Sequence, residues 1–216
     1  KTTPDEMTSI TGMMTGEDGN KLIAVLLCYN GDMAEGERVL SPMRNFGTPL
    51  VDTVGPLPYT TLQSMLDAAT PEGRQNYEKA HFFSQLSDDA VDVLTEGFGK
   101  ATSPFCFLAL QQVGGEMQRG AGDQAAYSHR DALFNLVIFS AWEDSGESEI
   151  HIKWARDLSY ALFPHSTGGV YVNDIGLESE EGAEVIQSAF GASYNRLVDL
   201  KNKYDPNNLF RHNQNI

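Results

Sequence analysis

Apolar residues recur along this chain with two periods, one of about two residues and one of about three and a half. Residues 6–16 and 21–29 read as strands, and the GEDGN between them supplies the Asp-Gly and Asn of a hairpin. Residues 32–47 (DMAEGERVLSPMRNFG) place Ala34, Val39, Met43 and Phe46 near helical spacing, with Gly47 as the stop. A short apolar piece, PLVDTVGPLP, leads to a second helix, YTTLQSMLDAA, closed by Thr70-Pro71. Met13, Met14, Met33, Met43 and Met65 read as core filling.

In the second half, NYEKAHFFSQL predicts a strand, and Ser87 followed by acids is an N-cap signature for a helix through SDDAVDVLTEGFGK. SPFCFLALQQVGG is a strand closed by Gly114-Gly115. The clearest strand is LFNLVIFSAW, with Asn135, Val137 and Phe139 on one face and Phe134, Leu136 and Ile138 on the other. SGESEIHIKWARDLSYALFPH predicts a helix that stacks Ile150, Trp154, Leu158 and Leu162. GGVYVND reads as a short strand, and residues 179–204 as helix, break at Gly191, helix. Hairpins and helix pairs interrupt any strict β-α alternation. The fold class is therefore α+β: an antiparallel sheet with helices mainly on one face, in one domain without repeat or linker.

Composition narrows the function classes. The chain has 216 residues, 41% hydrophobic and 21% charged, which is ordinary for a soluble domain with a real core. Its formal charge of −15 argues against nucleic acid and against anionic membranes, because both need clustered Lys and Arg. The longest apolar run, KLIAVLLCY, falls short of the roughly 18 residues that span a bilayer. Cys28 and Cys106 lie in apolar runs and read as buried thiols, with a disulfide as the alternative. The start, KTTPDEMTS, carries no signal pattern and does not read as a natural beginning, and the cytoplasm is the expected location.

No Gly-rich dinucleotide motif, Walker loop, HExxH or GxSxG is present. No two of the five His are spaced i,i+4, so no metal is expected. Single residues remain. Lys79 is a charge inside an apolar strand, His129-Arg130 opens the strongest strand, and Arg119 is a further pocket candidate. Gly168-Gly169 allows a close approach by another backbone or a flat ligand, and Tyr171 and Asn173 share one side of the short apolar stretch after it. At the end, Asp205-Pro206-Asn207 is a turn and Leu209-Phe210 an apolar anchor.

GGVYVND together with ASYNRLVDLKNKYDPNNLFRHNQNI resembles the C-terminal part of the berberine-bridge-enzyme-like FAD-linked oxidases of the vanillyl-alcohol-oxidase superfamily. PDEMT, the stretch from GDMAEGERV to MLDAA, HRDALFNLVIFSAW and HIKWARDL resemble their substrate-binding region. The resemblance implies residues 1–170 as a substrate-binding α+β domain and 171–216 as the berberine-bridge-enzyme-like segment packed with it. The FAD-binding domain would be a partner lying N-terminal to this chain, which would be part of a larger enzyme. It further implies that Tyr171 and Asn173 contact the cofactor, and that the tail returns to the flavin domain, with Leu209 and Phe210 docking and Asn213 and Gln214 making polar contacts. Plant members carry a catalytic Tyr or His just after that Asn, where this chain has Asp174. Asn135 stands where some of them use a catalytic Glu, and an amide cannot take a proton as a carboxylate does. Asp174 and Asn135 are thus the catalytic candidates, and Lys79, Arg119 and His129 the pocket candidates. The implied activity is hydride transfer from an alcohol or similar C–H donor to FAD. The alternative is a binding module with the same fold and no flavin. A docked flavin domain requires an apolar surface that this chain does not cover itself.

Overall fold

The computed structural model describes residues 3–67, 70–119, 125–175, 182–212 and 214–216. Five strands, β1 (Met7–Thr15), β2 (Lys21–Tyr29), β3 (Gln75–Phe83), β4 (Phe107–Gln112) and β5 (Phe134–Trp142), form one antiparallel sheet in the order β2-β1-β4-β5-β3. The first hairpin closes as its sequence asks. Gly19 takes a positive φ of 81°, and the Asp18 carboxylate accepts the Asn20 amide N–H at 3.0 Å.

Helices α1 (Met33–Arg44), α2 (Tyr59–Ser64), α3 (Asp88–Gly99), α4 (Glu116–Arg119), α5 (Ser148–Leu162), α6 (Gly182–Phe190) and α7 (Tyr194–Tyr204) complete the fold. α3 and α5 make the core with one face of the sheet. Leu94 and Phe98 of α3 and Trp154, Ala155, Leu158 and Leu162 of α5 close over Tyr77, Phe83, Leu108, Leu136 and Ile138. The Ser87 hydroxyl caps α3 by accepting the Ala90 N–H at 3.2 Å, as the sequence predicts. Gly97 lets the two helices meet: a Cβ there would overlap the Leu158 side chain, and the Trp154 indole donates to the Gly97 carbonyl at 3.0 Å.

Two predicted helical stripes are displaced. In α5 the buried stripe is His151, Trp154, Ala155, Leu158 and Leu162, while Ile150 is 57% exposed. At about 100° per residue, Ile150 lies ~40° to one side of Trp154, and the others lie ~40–100° to the opposite side. His151 takes the inner place because its ring stacks on Trp142 (5.1 Å between centroids) and pairs with the Thr102 hydroxyl at 2.7 Å. In α1 only Gly36 and Leu40 are buried. Phe46 is 87% exposed, and Met33, Met43 and Met65 are exposed rather than core filling.

The other face of the sheet has a different make-up. Ala80, Val137, Ala109, Gly12 and Ala24 pair in register and form a row of small side chains across all five strands. Phe82, Asn135, Gln111, Ile10 and Leu26 make the neighbouring row on one side, and the stacked rings of Phe139 and Phe107 (4.6 Å) stand on the other. Residues after α5 return to this face at its β3 end, where Thr167 N–H donates to the Phe82 carbonyl at 2.8 Å.

Leu158→Ala removes a side chain shared by both core helices and is expected to destabilise the fold by about 2–5 kcal/mol. Ile150→Ala, on the outer side, is expected to stay within ~0.5 kcal/mol. Urea unfolding of both variants measures the contrast, and similar losses would return Ile150 to the core.

Candidate functional site

β5 delivers Asn135 to the face opposite the core helices, where only 3% of the residue is exposed. Its Nδ2 donates to Asp174 Oδ2 at 2.9 Å and to Gln111 Oε1 at 3.2 Å. These two acceptors set the orientation of the amide, because the reverse would face a carbonyl oxygen towards a carboxylate. Asn135 Oδ1 is buried and has no hydrogen-bond partner among the described residues. A buried acceptor without a donor is uncommon and marks a position that a donor can complete.

Asp174 reaches this point on a tight turn. GGVYVND is not the predicted strand: residues Val172–Asp174 form a 3-10 turn in which Asp174 N–H donates to the Tyr171 carbonyl at 2.9 Å. Gly168, at a φ of 79°, and Gly169 lead into it. The close approach that Gly169 permits is to the His129 ring, which a Cβ would overlap. After the turn, Ile175 is buried and its carbonyl accepts Gln214 Nε2 at 2.7 Å. The turn is therefore fixed from both sides, by β3 and by the tail.

Glu78 shares this face of the sheet, directly across from Phe139. Burial, and secondarily the Asp174 charge, push its carboxyl up to about 7. Burial also raises Asp174, and the Asn135 hydrogen bond partly offsets that rise. No basic side chain forms an ion pair with either carboxylate among the described residues. Asp174, Asn135 and Gln111 are thus joined by hydrogen bonds on one side of the row of small residues, an arrangement that can accept a proton from a bound donor, while Glu78 stands on the far side of that row.

The other sequence candidates occupy different places. Lys79 lies on the core-helix face, 5.3 Å from the centre of the Tyr77 ring, so strand alternation separates it from Asp174. His129 stacks on Phe82 at 4.7 Å and its Nε2 meets the Ser188 carbonyl at 3.1 Å, a packing position under the Gly169 backbone. Arg119 is engaged by Asp5 at 2.7 Å and Glu116 at 2.9 Å, away from the cluster. Asn173 donates to the Tyr171 hydroxyl at 2.8 Å, and Tyr171 meets Tyr127 edge-on at 6.3 Å. Phe210 is 82% exposed, its N–H and that of Leu209 held by the Asp205 carboxylate at 3.0 and 2.7 Å. Asn213 lies outside the described residues. Glu78 is not singled out by the sequence, because adjacent Glu78 and Lys79 point to opposite faces and the pattern does not say which face carries the chemistry.

Residues 170–216 match the family model described as berberine and berberine like. Over 90% of its length the chain is 28% identical to an FAD-linked oxidoreductase of Dictyostelium discoideum, of which it covers 42%. It is 24% identical over 74% of its length to the hexose oxidase of Chondrus crispus, covering 34% of that protein. Among solved structures, 6-hydroxy-D-nicotine oxidase from Arthrobacter nicotinovorans superposes with a TM-score of 0.79 at 20% identity. That match covers 99% of this chain and 48% of that one. The BBE-like 1 protein of Physcomitrella patens gives 0.80 at 16% identity, covering 100% and 48%. Along nearly its whole length the chain therefore resembles part of an FAD-linked oxidoreductase. Its closing segment carries the berberine-like match, and the chain spans less than half the length of these relatives.

Glu78 links this site to stability. Below its ordinary value of 4.5 the carboxyl is protonated in both folded and unfolded chains. Between there and about 7 the unfolded chain releases the proton while the folded one keeps it, so this contribution falls as pH rises. Glu78→Gln removes the loss. Relative to wild type, its Tm is expected to gain ~2–6 °C on going from pH 5 to pH 8, for ~1–2 kcal/mol after discounting the partly solvated carboxyl. A difference in Tm that does not change with pH would place Glu78 in solvent.

Proposed function

We propose that this chain is the substrate-binding, C-terminal portion of an FAD-dependent oxidoreductase that oxidises a small alcohol or similar C–H donor. The observation that carries the reading is the buried Asn135–Asp174 pair, with an unpartnered acceptor, on the face of the sheet away from the core helices. An isoalloxazine ring and a small substrate require a flat, mostly apolar floor with few polar groups, and the accessible end of the small-residue row, Ala109, Gly12 and Ala24, fits that requirement. FAD, held mainly by the N-terminal domain, would supply the hydride acceptor.

The remaining work falls to this chain. Asn135 Oδ1 and the Asp174 carboxylate are both acceptors, so they orient a donor such as a substrate hydroxyl. Asp174 takes the hydroxyl proton as the hydride leaves the adjacent carbon, and burial makes that carboxylate a stronger base than one in water. Asn135 keeps the carboxylate aimed. Tyr171 and Asn173, joined by their own hydrogen bond, form the cofactor-facing part of the turn. Gln214 holds the turn from behind through the Ile175 carbonyl.

Exposed apolar residues favour a docked domain over a free-standing binding module. Phe46, Leu50, Val51 and Tyr59 in the segment around α2, and Leu209 and Phe210 in the tail, are each more than 70% exposed.

Absorbance in the near-UV and blue tests the reading. The chain mixed with its separately produced N-terminal domain is expected to retain flavin and to bleach with an alcohol donor. A colourless mixture with no association at micromolar concentration would favour the binding module. In the intact flavoprotein, Asp174→Asn is expected to slow flavin reduction about 10²-fold at unchanged flavin content. Asn173→Ala is expected to lower flavin content, and an unchanged flavin spectrum would remove Asn173 from the cofactor site.

A further inference from the structure

We infer that Gln111 is a specificity-determining residue: it selects alcohols that carry a second oxygen on the carbon next to the one that reacts, as a vicinal diol does. The inference rests on the reading of this face as the substrate site, and it names what such a substrate carries.

Hydrogen-bond polarity passes from residue to residue across the face. An ionised carboxylate only accepts, so Asp174 Oδ2, at 2.9 Å, turns Nδ2 of the Asn135 amide towards itself. The second N–H of the same Nδ2 donates to Gln111 Oε1 at 3.2 Å. That bond uses the oxygen of the Gln111 amide and leaves Nε2 as its open end. Asn135 is buried, whereas Asp174 and Gln111, to either side of it, are half-buried. Among the described residues neither Asp174 Oδ1 nor Gln111 Nε2 has a hydrogen-bond partner, and neither atom is buried.

The face therefore presents an open acceptor and an open donor, tied together through one buried amide. Two acceptors on one NH2 group stand roughly 5 Å apart, which sets the scale of the gap between Asp174 and Gln111. A hydroxyl that donates to Asp174 and a neighbouring oxygen that accepts from Gln111 Nε2 bridge a gap of that order. A lone hydroxyl engages Asp174 and leaves Nε2 without an acceptor. An ammonium in the second place would face Nε2 donor to donor.

The neighbours give the second oxygen no other partner. In the same row Phe82 lies beyond Asn135 and Ile10 beyond Gln111. Along β4 the residues flanking Gln111 on this face are Ala109 and Val113. None of these four side chains is polar, so Gln111 is the group here that tells an oxygen from a methyl. Ala109 and Gly12, paired beside it, leave room for the carbon skeleton.

Binding and turnover in the intact flavoprotein test this. Pinacol is a vicinal diol without a carbinol C–H bond, so it can occupy the site without being oxidised. It is expected to bind roughly tenfold more tightly than its one-hydroxyl analogue in calorimetric titration. The kcat/KM for vicinal cyclohexanediol is expected to exceed that for cyclohexanol by a similar factor. Gln111→Met, close in volume but without a donor, should bring both ratios to within about twofold of unity, and Gln111→Leu should do the same. Equal affinities of the wild type for pinacol and its analogue, or a preference that survives in both variants, overturns the role of Gln111. If pinacol is preferred but neither cyclohexanol nor the diol bleaches the flavin, the oxidation of alcohols fails and the diol site stands. If cyclohexanol bleaches the flavin as readily as the diol does, the oxidase reading stands and this inference fails.

Discussion

β5 is buried on both of its faces, and the rest of the molecule is arranged around that constraint. On one side Leu136 and Ile138 sit under α3 and α5 with essentially no exposure. On the other, Asn135 is just as deeply buried but polar, so its amide must be satisfied by neighbours rather than by water. Gln111 on β4 and Asp174 from the returning chain satisfy the donor side. That requirement explains why residues 167–175 cross back over the sheet at the β3 end, fastened by the Phe82 backbone and then by Gln214. Removing the amide would leave Asp174 without the hydrogen bond that holds its charged form.

Much of this is legible in the sequence, for identifiable reasons. The alternation in LFNLVIF assigns Asn135 and Leu136 to opposite faces whatever packs on them. Ser87 followed by acids fixes the start of α3, and Gly191, at a φ of 49°, breaks the last helix pair. The features that escape a sequence reading depend on tertiary context. A glutamate beside a lysine within an apolar strand says that one of them faces inward on each side, not which face is the chemical one. A helical stripe can be drawn through Ile150 as readily as through His151 until Trp142 and Thr102 stand against the latter. GGVYVND has strand composition, yet with Gly168 at a positive φ ahead of it the backbone folds into a turn there. The likeness of the closing segment to berberine-like proteins is readable because it is a specific run of residues rather than a periodicity.

Small residues on one face and bulky ones on the other give the sheet two uses. Ala80 and Val137 are already covered within the chain, whereas Ala109, Gly12 and Ala24 present little more than backbone, so a flat body can approach them closely without displacing side chains. The core face could not be built that way, since α3 and α5 need Phe, Leu and Ile to fill the space between helix and sheet. The exposed Leu209 and Phe210 extend the same logic to the tail. Asp205 holds the backbone of both while their side chains remain uncovered, a poor arrangement for a free surface and a suitable one for a docking edge.

β3 carries a further consequence of being two-sided. His81 on the core face is kept neutral by burial, pushed down to about 4 despite the opposing hydrogen bond with the Ser159 backbone, with Lys79 adding to the depression. Glu78 on the other face is kept neutral up to about 7. The two groups pull stability in opposite directions. As pH falls through the interval from 6.5 to about 4, the unfolded chain protonates its histidine while the folded one does not, so stability is lost towards acid. As pH rises from 4.5 to about 7, the glutamate loss runs towards base. Where the intervals overlap the slopes cancel, so strand β3 remains uncharged on these two side chains without making the fold sharply pH-dependent.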